Sequence, residues 1–235
     1  YRVVNPDAVK VHTSTARVVG IKGGNKSSKS ATILAEIAIQ MTGVVPETLA
    51  GVYPRQKLRP PIRVRLVVTS LTTAWDINLK LKLQWWEWNG KLNADGLQGD
   101  PRYGHWGFMP QRFLVNFDWE QSWSEKHRIL RLNNGSTLQV MSHDQAIEDF
   151  NQGAYHLIGQ DELPPEAIHR ANLLRVMEYG GQILVGGTPP DTRSLAVSAA
   201  WFFDEVLAPG LAGTNPDEVT AVQLWTEHND TLAPE

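Results

Sequence analysis

The stretch ARVVGIKGGNKSSKSATILAEIAIQM, residues 16–41, decides the reading of the fold. Its β-branched opening halts at Gly23 and Gly24, and beyond Ser30 the apolar residues Ile33, Ile37 and Met41 recur at helical spacing. The order is strand, glycine turn, helix. Across the turn, Gly23-Gly24-Asn25-Lys26-Ser27-Ser28-Lys29-Ser30 follows the pattern glycine, four residues, glycine, lysine, serine or threonine, except that Ser28 replaces the second glycine. The pattern has a physical basis. Successive backbone N–H groups before a helix N-terminus cradle phosphate oxygens, a lysine adds a cation at the β/γ positions, and the next hydroxyl can ligate magnesium. Gly23 to Ser30 are therefore the candidate nucleotide-binding residues, with Lys29 on phosphate and Ser30 on the metal. A Gly/Ser/Lys turn without a ligand is the competing reading. A left-handed backbone at Ser28 would carry strain that glycine avoids. Lys26 reads either as a second phosphate contact and charge sensor or as a solvated loop lysine.

Outward from this stretch, strands and helices alternate. Residues 63–70 (RVRLVVTS) read as a strand and 72–88 as a helix. Residues 128–132 and 136–142 flank the turn Asn133-Asn134-Gly135, which predicts a hairpin. A strand over 154–160 runs into Asp161-Glu162, a helix follows Pro164-Pro165 to about 179, and QILVGGT (182–188) is the next strand. Gly159 and Gln160 stand where apolar residues usually precede the first acid. A helix near 195–206 and a strand near 219–225 close the series. Such alternation predicts an α/β fold with a mostly parallel sheet and helices on both faces. In an open parallel sheet the strand ends share one carboxyl edge, so Lys29, Ser30, Asp161, Glu162 and Thr188 can meet there. Asp161 is then the candidate magnesium ligand, Glu162 the general base that orients water, and Thr188 a sensor of the γ-phosphate. Taken singly, an Asp-Glu pair also suits a helix N-terminus, and Thr188 also suits a strand-end turn.

Composition narrows the classes. With 235 residues, 42% of them hydrophobic, a sizeable core is possible, and the absence of cysteine excludes disulfides, thiolate zinc sites and a cysteine nucleophile. A net charge of −3 gives no global attraction to nucleic acid. No apolar run approaches the roughly 20 residues that cross a bilayer, and the start lacks the form of a secretory signal, so a soluble intracellular protein with no membrane segment is expected. The stretch 229–235 reads as the start of a linker after a domain over 1–228, in a fragment of a longer polypeptide. Arg55, Lys57, Arg59, Arg63 and Arg65 form the densest basic run, either a DNA or subunit contact or a solvated loop. Trp85, Trp86, Trp88, Trp106, Trp119 and Trp123 either stack bases or pack internally. His127, His143 and His156 lack metal-ligand spacing. His12 is placed near an adenine.

The ordered motifs resemble those of the large terminase subunits of tailed bacteriophages. The resemblance rests on GGNKSSKS (23–30) preceded by STAR (14–17), LNNGSTLQVMSHDQ (132–145), FNQGAYHLIGQDELPPEAI (150–168) and ILVGGTPP (183–190). It implies a P-loop NTPase domain of RecA-like (ASCE) type, with Walker A and Walker B segments and a coupling motif. It also implies an Mg-dependent ATPase using ATP and Mg2+ to drive double-stranded DNA into a procapsid. The partners implied are double-stranded DNA, the portal, a small terminase subunit and further copies of the chain in a ring on the portal. The chain would be monomeric alone, and its location the host cytoplasm rather than the mature virion. Two departures stand out. Gln152 occupies the position where an arginine finger often precedes Gly153, leaving Arg128, Arg131, Arg170 and Arg193 as candidates for that role. The family's C-terminal nuclease has no room here, so no nuclease activity is expected. The competing functions are a helicase-like remodelling ATPase and a nucleotide-binding docking module without catalysis.

Overall fold

The computed structural model describes residues 1–84, 107–188 and 199–232. In chain order the main elements are α1 (Ala8–Thr13), β1 (Val18–Gly23), α2 (Lys29–Thr42) and β2 (Arg63–Val68). Next comes α3, a π-helix over Leu71–Leu79 that continues as an α-helix over Lys80–Leu83. Then follow α4 (Trp119–Ser122), β3 (Trp123–Ser124), β4 (Ile129–Arg131), β5 (Thr137–Ser142), α5 (Ile147–Phe150) and β6 (Leu157–Gln160). The series ends with α6 (Glu166–Met177), β7 (Gln182–Gly187), α7, which is π over Phe202–Leu207 and α over Ala208–Ala212, and β8 (Val219–Leu224).

The strands form one eight-stranded sheet in the order β3-β4-β5-β2-β6-β7-β1-β8. Every pairing from β5 to β8 is parallel, and the hairpin β4–β5 and the short β3 add antiparallel pairs at one edge. The mostly parallel α/β sheet and the hairpin expected from the sequence are both present. β7 lies between β1 and β6, so whatever ends β7 sits between the strand that leads into residues 23–30 and the strand that leads into Asp161-Glu162.

Strand alternation sends neighbouring side chains to opposite faces, and each face has a core of its own. Val64, Leu66 and Val68 of β2 join Val19, Ile21, Leu157 and Leu184 under α1, α2 and α3. Val67 of the same strand joins Ile158, Ile183 and Val185 under α5, α6 and α7. At about 1.5–3 kcal/mol for each fully buried aliphatic side chain, these two layers fix the sheet between its helices. Helix α2 sits close on β6 because Gly159 has no side chain: a Cβ there would lie 2.8 Å from Ile33 Cγ2. This close approach accounts for a glycine in place of an apolar residue before the acids. Its neighbour Gln160 is buried too, with Oε1 accepting from His169 Nδ1 at 2.9 Å.

Several expectations change against the structure. Arg65 and Lys57 do not belong to an exposed basic face. Arg65 is 1% exposed and donates to the Phe150 and Gln152 carbonyls, Asn172 Oδ1 and the Tyr155 hydroxyl oxygen. Lys57 Nζ lies 2.7 Å from the fully buried Glu36 carboxylate. Burial alone would raise the Glu36 pKa, but Lys57 and His12 outweigh it and hold that carboxyl at about 2. His12 is likewise fully buried, its ring nitrogens spanning Glu36 at 2.7 Å and the Tyr1 hydroxyl at 3.0 Å, so both are engaged within the protein. Trp119 and Trp123 are core residues, stacked with ring centroids 6.2 Å apart. Trp85, Trp86, Trp88 and Trp106 lie outside the described residues, as does the start of the helix expected near 195–206. Helix α1 and strand β3 are too short to leave a periodic signal in the sequence.

Candidate functional site

The candidate phosphate loop, residues 23–30, spans the end of β1 and the first turn of α2, and its backbone has an unusual uniformity. Every carbonyl from Gly23 to Ser28 is engaged. Lys29 Nζ donates to Gly23 O at 2.8 Å and to Gly24 O at 2.9 Å. Thr226 Oγ1 donates to Asn25 O at 3.1 Å, Asn229 Nδ2 to Lys26 O at 2.6 Å, and Asn5 Nδ2 to Ser27 O at 3.3 Å. Ser28 O accepts from both the backbone and the hydroxyl of Thr32. With the carbonyls held by these partners, the loop presents its N–H groups as remaining polar backbone, except that of Ser27, which donates to Gly24 O at 3.4 Å; this is the property of an anion nest. Gly23 is required here: a Cβ would lie 2.3 Å from Ser27 Oγ and 2.8 Å from the Leu224 carbonyl. Two non-glycine residues of the loop adopt left-handed backbone, Lys26 at φ 62° and Ser28 at φ 75°. Ser28 therefore carries the strain expected of a serine in a glycine position, and its buried hydroxyl has no hydrogen-bond partner among the described residues. The Lys26 side chain is solvent-exposed.

The carboxyl ends of β6 and β7 close on this loop. Asp161 is 8% exposed. Burial pushes the Asp161 carboxyl above its usual range, Glu162 adds to that, and Ser30, Lys82 and Lys29 oppose it. Burial holds the Lys29 ammonium below the usual lysine range, against the pull of Glu162 and Asp161. Glu162 adopts left-handed backbone at φ 70°, and its Oε1 accepts from the Thr188 hydroxyl at 3.2 Å. Lys29, Ser30, Asp161, Glu162 and Thr188, far apart in sequence, thus form one cluster at one edge of the sheet.

Sequence reasoning missed four contributors. Lys82 on α3 places a half-buried cation in the field of Asp161, and Asn5, Thr226 and Asn229 hold the loop. No motif marks them, because their roles depend on where the two ends of the described chain pack. Residues 229–232, read as the start of a linker, lie beside the loop: Asn229 is 8% exposed and the Asp230 N–H donates to Val4 O at 3.0 Å.

The arginines considered as fingers are placed differently. Arg128 pairs with Asp76 and Glu125, and Arg170 with Glu166 and Glu205. Arg131 is opposite Thr137, at the start of β5 and away from the carboxyl edge. Gln152 lies ahead of β6, its carbonyl bound by Arg65, also away from that edge. Arg193 lies outside the described residues. A cavity of about 270 Å3 opens near the strand starts, lined by residues that include Arg17, Arg59, His156, Tyr179 and Gln182, and the clustered residues do not border it. Among the described residues, no three His, Cys, Asp or Glu gather as a metal site.

No family model matches the chain, and no curated protein matches it. Solved structures do. The large terminase of a thermophilic bacteriophage superposes with a TM-score of 0.61 at 11% identity, covering 99% of this chain and 48% of that one. A second structure of the same phage's large terminase, in complex with ADP, superposes with a TM-score of 0.56 at 11% identity, covering 98% and 47%. The described chain thus shares its α/β fold with part of these large terminases and spans about half the length of those proteins.

Proposed function

We propose that this chain is the ATP-hydrolysing motor domain of a viral large terminase subunit. In this reading it turns over ATP with Mg2+ and drives double-stranded DNA through a portal into a procapsid. The observation that carries the reading is the cluster of Lys29, Ser30, Asp161, Glu162 and Thr188 beside a loop whose carbonyls are all engaged. A solved structure of the same fold, described as bound to ADP, adds to it.

The residues present fit a nucleotide and a metal. The N–H groups of residues 24–30, Ser27 aside, would cradle the phosphates. An ammonium has three donor hydrogens and Lys29 uses two on the loop, so one remains for a phosphate oxygen. Ser30 and Asp161 would hold magnesium, an ion that ordinarily takes one or two carboxylates and completes its shell with phosphates and water. Bound there, magnesium would neutralise charge on the phosphate oxygens. Glu162 would orient the attacking water and accept its proton, and Thr188 would report the state of the γ-phosphate through its bond to Glu162. A cation from a neighbouring subunit would complete the charge balance. Such fingers contribute about 10³–10⁵ in rate, so the chain alone is a slow ATPase and a ring is the working form. The small subunit and the host cytoplasm belong to the same proposal.

The test is packaging by the whole subunit with procapsids and linear duplex DNA. ATP-dependent protection of the DNA from nuclease, lost in Glu162→Ala, is the expected result. Strand separation of the duplex with no protected DNA would replace the motor with a helicase.

A further inference from the structure

We propose that Asn5, Thr226 and Asn229 are positioning residues of the nucleotide site, a clasp that sets the phosphate loop in its anion-binding conformation before a ligand arrives. The proposal rests on the nucleotide reading above and goes beyond the motif residues. Lys29 accounts for the carbonyls of Gly23 and Gly24, and the next three are held from outside the loop. Thr226 takes Asn25 O, Asn229 takes Lys26 O, and Asn5 takes Ser27 O. A peptide plane whose carbonyl is bound on one side directs its N–H to the other. Three such bonds in succession fix the peptide planes that carry the Lys26, Ser27 and Ser28 amides; Ser27 N–H closes on Gly24 O at 3.4 Å, and the other two are oriented to meet phosphate.

The loop has reason to need this. Lys26 and Ser28 stand in left-handed backbone without being glycines, a conformation in which a Cβ crowds the following carbonyl. External bonds to the intervening carbonyls oppose relaxation of that strain. The clasp is itself built. Asn5 is fully buried and also donates to Trp225 O at 2.9 Å. The segment before α1 and the segment after β8 are joined by Arg2 to Asp230 at 2.8 Å, by Asp7 to His228 at 2.9 Å, and by Asp230 N–H to Val4 O at 3.0 Å. The hydroxyl and amides are short, neutral and suited to carbonyl oxygen, which fits them to hold backbone rather than to touch phosphate.

The experiment measures the affinity of ADP and the steady-state KM and kcat for ATP in the intact subunit. The variants are Thr226→Val, Thr226→Ser and Asn229→Ala, with Lys29→Ala as the reference for a lost phosphate contact. Removing one clasp bond weakens ADP binding about five- to tenfold, the size of one hydrogen bond. The loss falls on KM more than on kcat, and serine at 226 restores affinity where valine does not. Hydrogen exchange at the amides of residues 25–28 rises in Thr226→Val and Asn229→Ala. If Lys29→Ala abolishes binding while both clasp variants bind ADP as the wild type does, the clasp is wrong and the nucleotide reading stands. If the wild type itself does not bind ADP, both fail together. Asn5→Ala removes a fully buried amide and is not needed for the decision, because Thr226 and Asn229 can each be changed without it.

Discussion

The Thr188 hydroxyl donates to Glu162 Oε1 at 3.2 Å, joining the end of β7 to the end of β6 beside the phosphate loop. Because β7 runs between β1 and β6, this bond links the proposed base to the strand that pairs with the loop strand. Hydrogen bonds to charged groups are worth about 1.5–3 kcal/mol, so Thr188→Val should lower kcat about tenfold or more with a small change in KM. Steady-state kinetics on the intact subunit checks this, and an equal loss in KM would move Thr188 from catalysis to binding.

Ser28 combines a left-handed backbone at φ 75° with a buried hydroxyl that has no partner among the described residues. Glycine removes both penalties. Ser28→Gly should raise stability by about 1 kcal/mol, measured by thermal or denaturant unfolding, and retain nucleotide affinity. A destabilised variant would show that the serine hydroxyl makes a stabilising contact.

Asp161 sets function against stability. Its pKa is raised in the fold by burial, so the folded state disfavours the ionised form. Stability that is fully present below the ordinary value of 3.8 is therefore lost as pH rises through the folded value. At neutral pH the carboxylate lowers stability, and Asp161→Asn should melt at a higher temperature than the wild type while losing magnesium-dependent turnover. Calorimetry at neutral pH without metal checks the first half, and a lower melting temperature would contradict it.

His169 predicts an acid limb. It stacks on Trp201 with ring centroids 4.2 Å apart and donates to Gln160, and burial, aided by Arg170, pushes its pKa down to about 4. A histidine lowered in the fold gives stability that is present above its ordinary value of 6.5 and lost as pH falls toward the folded value. The full difference corresponds to about 3 kcal/mol. Unfolding followed between pH 7 and 4 should show this loss in the wild type and a flatter profile in His169→Gln, whatever the variant's absolute stability.

Much of this was legible in the sequence, and the reasons are local. β1, α2, β2, β7 and β8 follow from β-branched runs, helical spacing and glycine turns within a few residues of one another. The clustering of Lys29, Ser30, Asp161, Glu162 and Thr188 followed from one topological rule about parallel strand ends. What escaped depends on distant packing. Nothing near Arg65 or Lys57 shows that one would be buried among the carbonyls before β6 and the other on Glu36, so both read as part of a basic surface. Nothing near His12 shows its bond to Glu36 either, since that partner lies 24 residues away on α2. Asn5, Thr226 and Asn229 are ordinary loop residues until the segments before α1 and after β8 meet at the phosphate loop.

If this edge of the sheet binds ATP and Glu162 activates the water that cleaves it, binding and hydrolysis must separate in two variants. ATP binding and single-turnover hydrolysis by the intact subunit, compared with Lys29→Ala and Glu162→Ala, put that to the test. Glu162→Ala should bind ATP within a few-fold of the wild type and hydrolyse it at least about a hundredfold more slowly, and Lys29→Ala should lose binding. Hydrolysis by Glu162→Ala at the wild-type rate, or a wild type that does not bind ATP, would overturn the assignment.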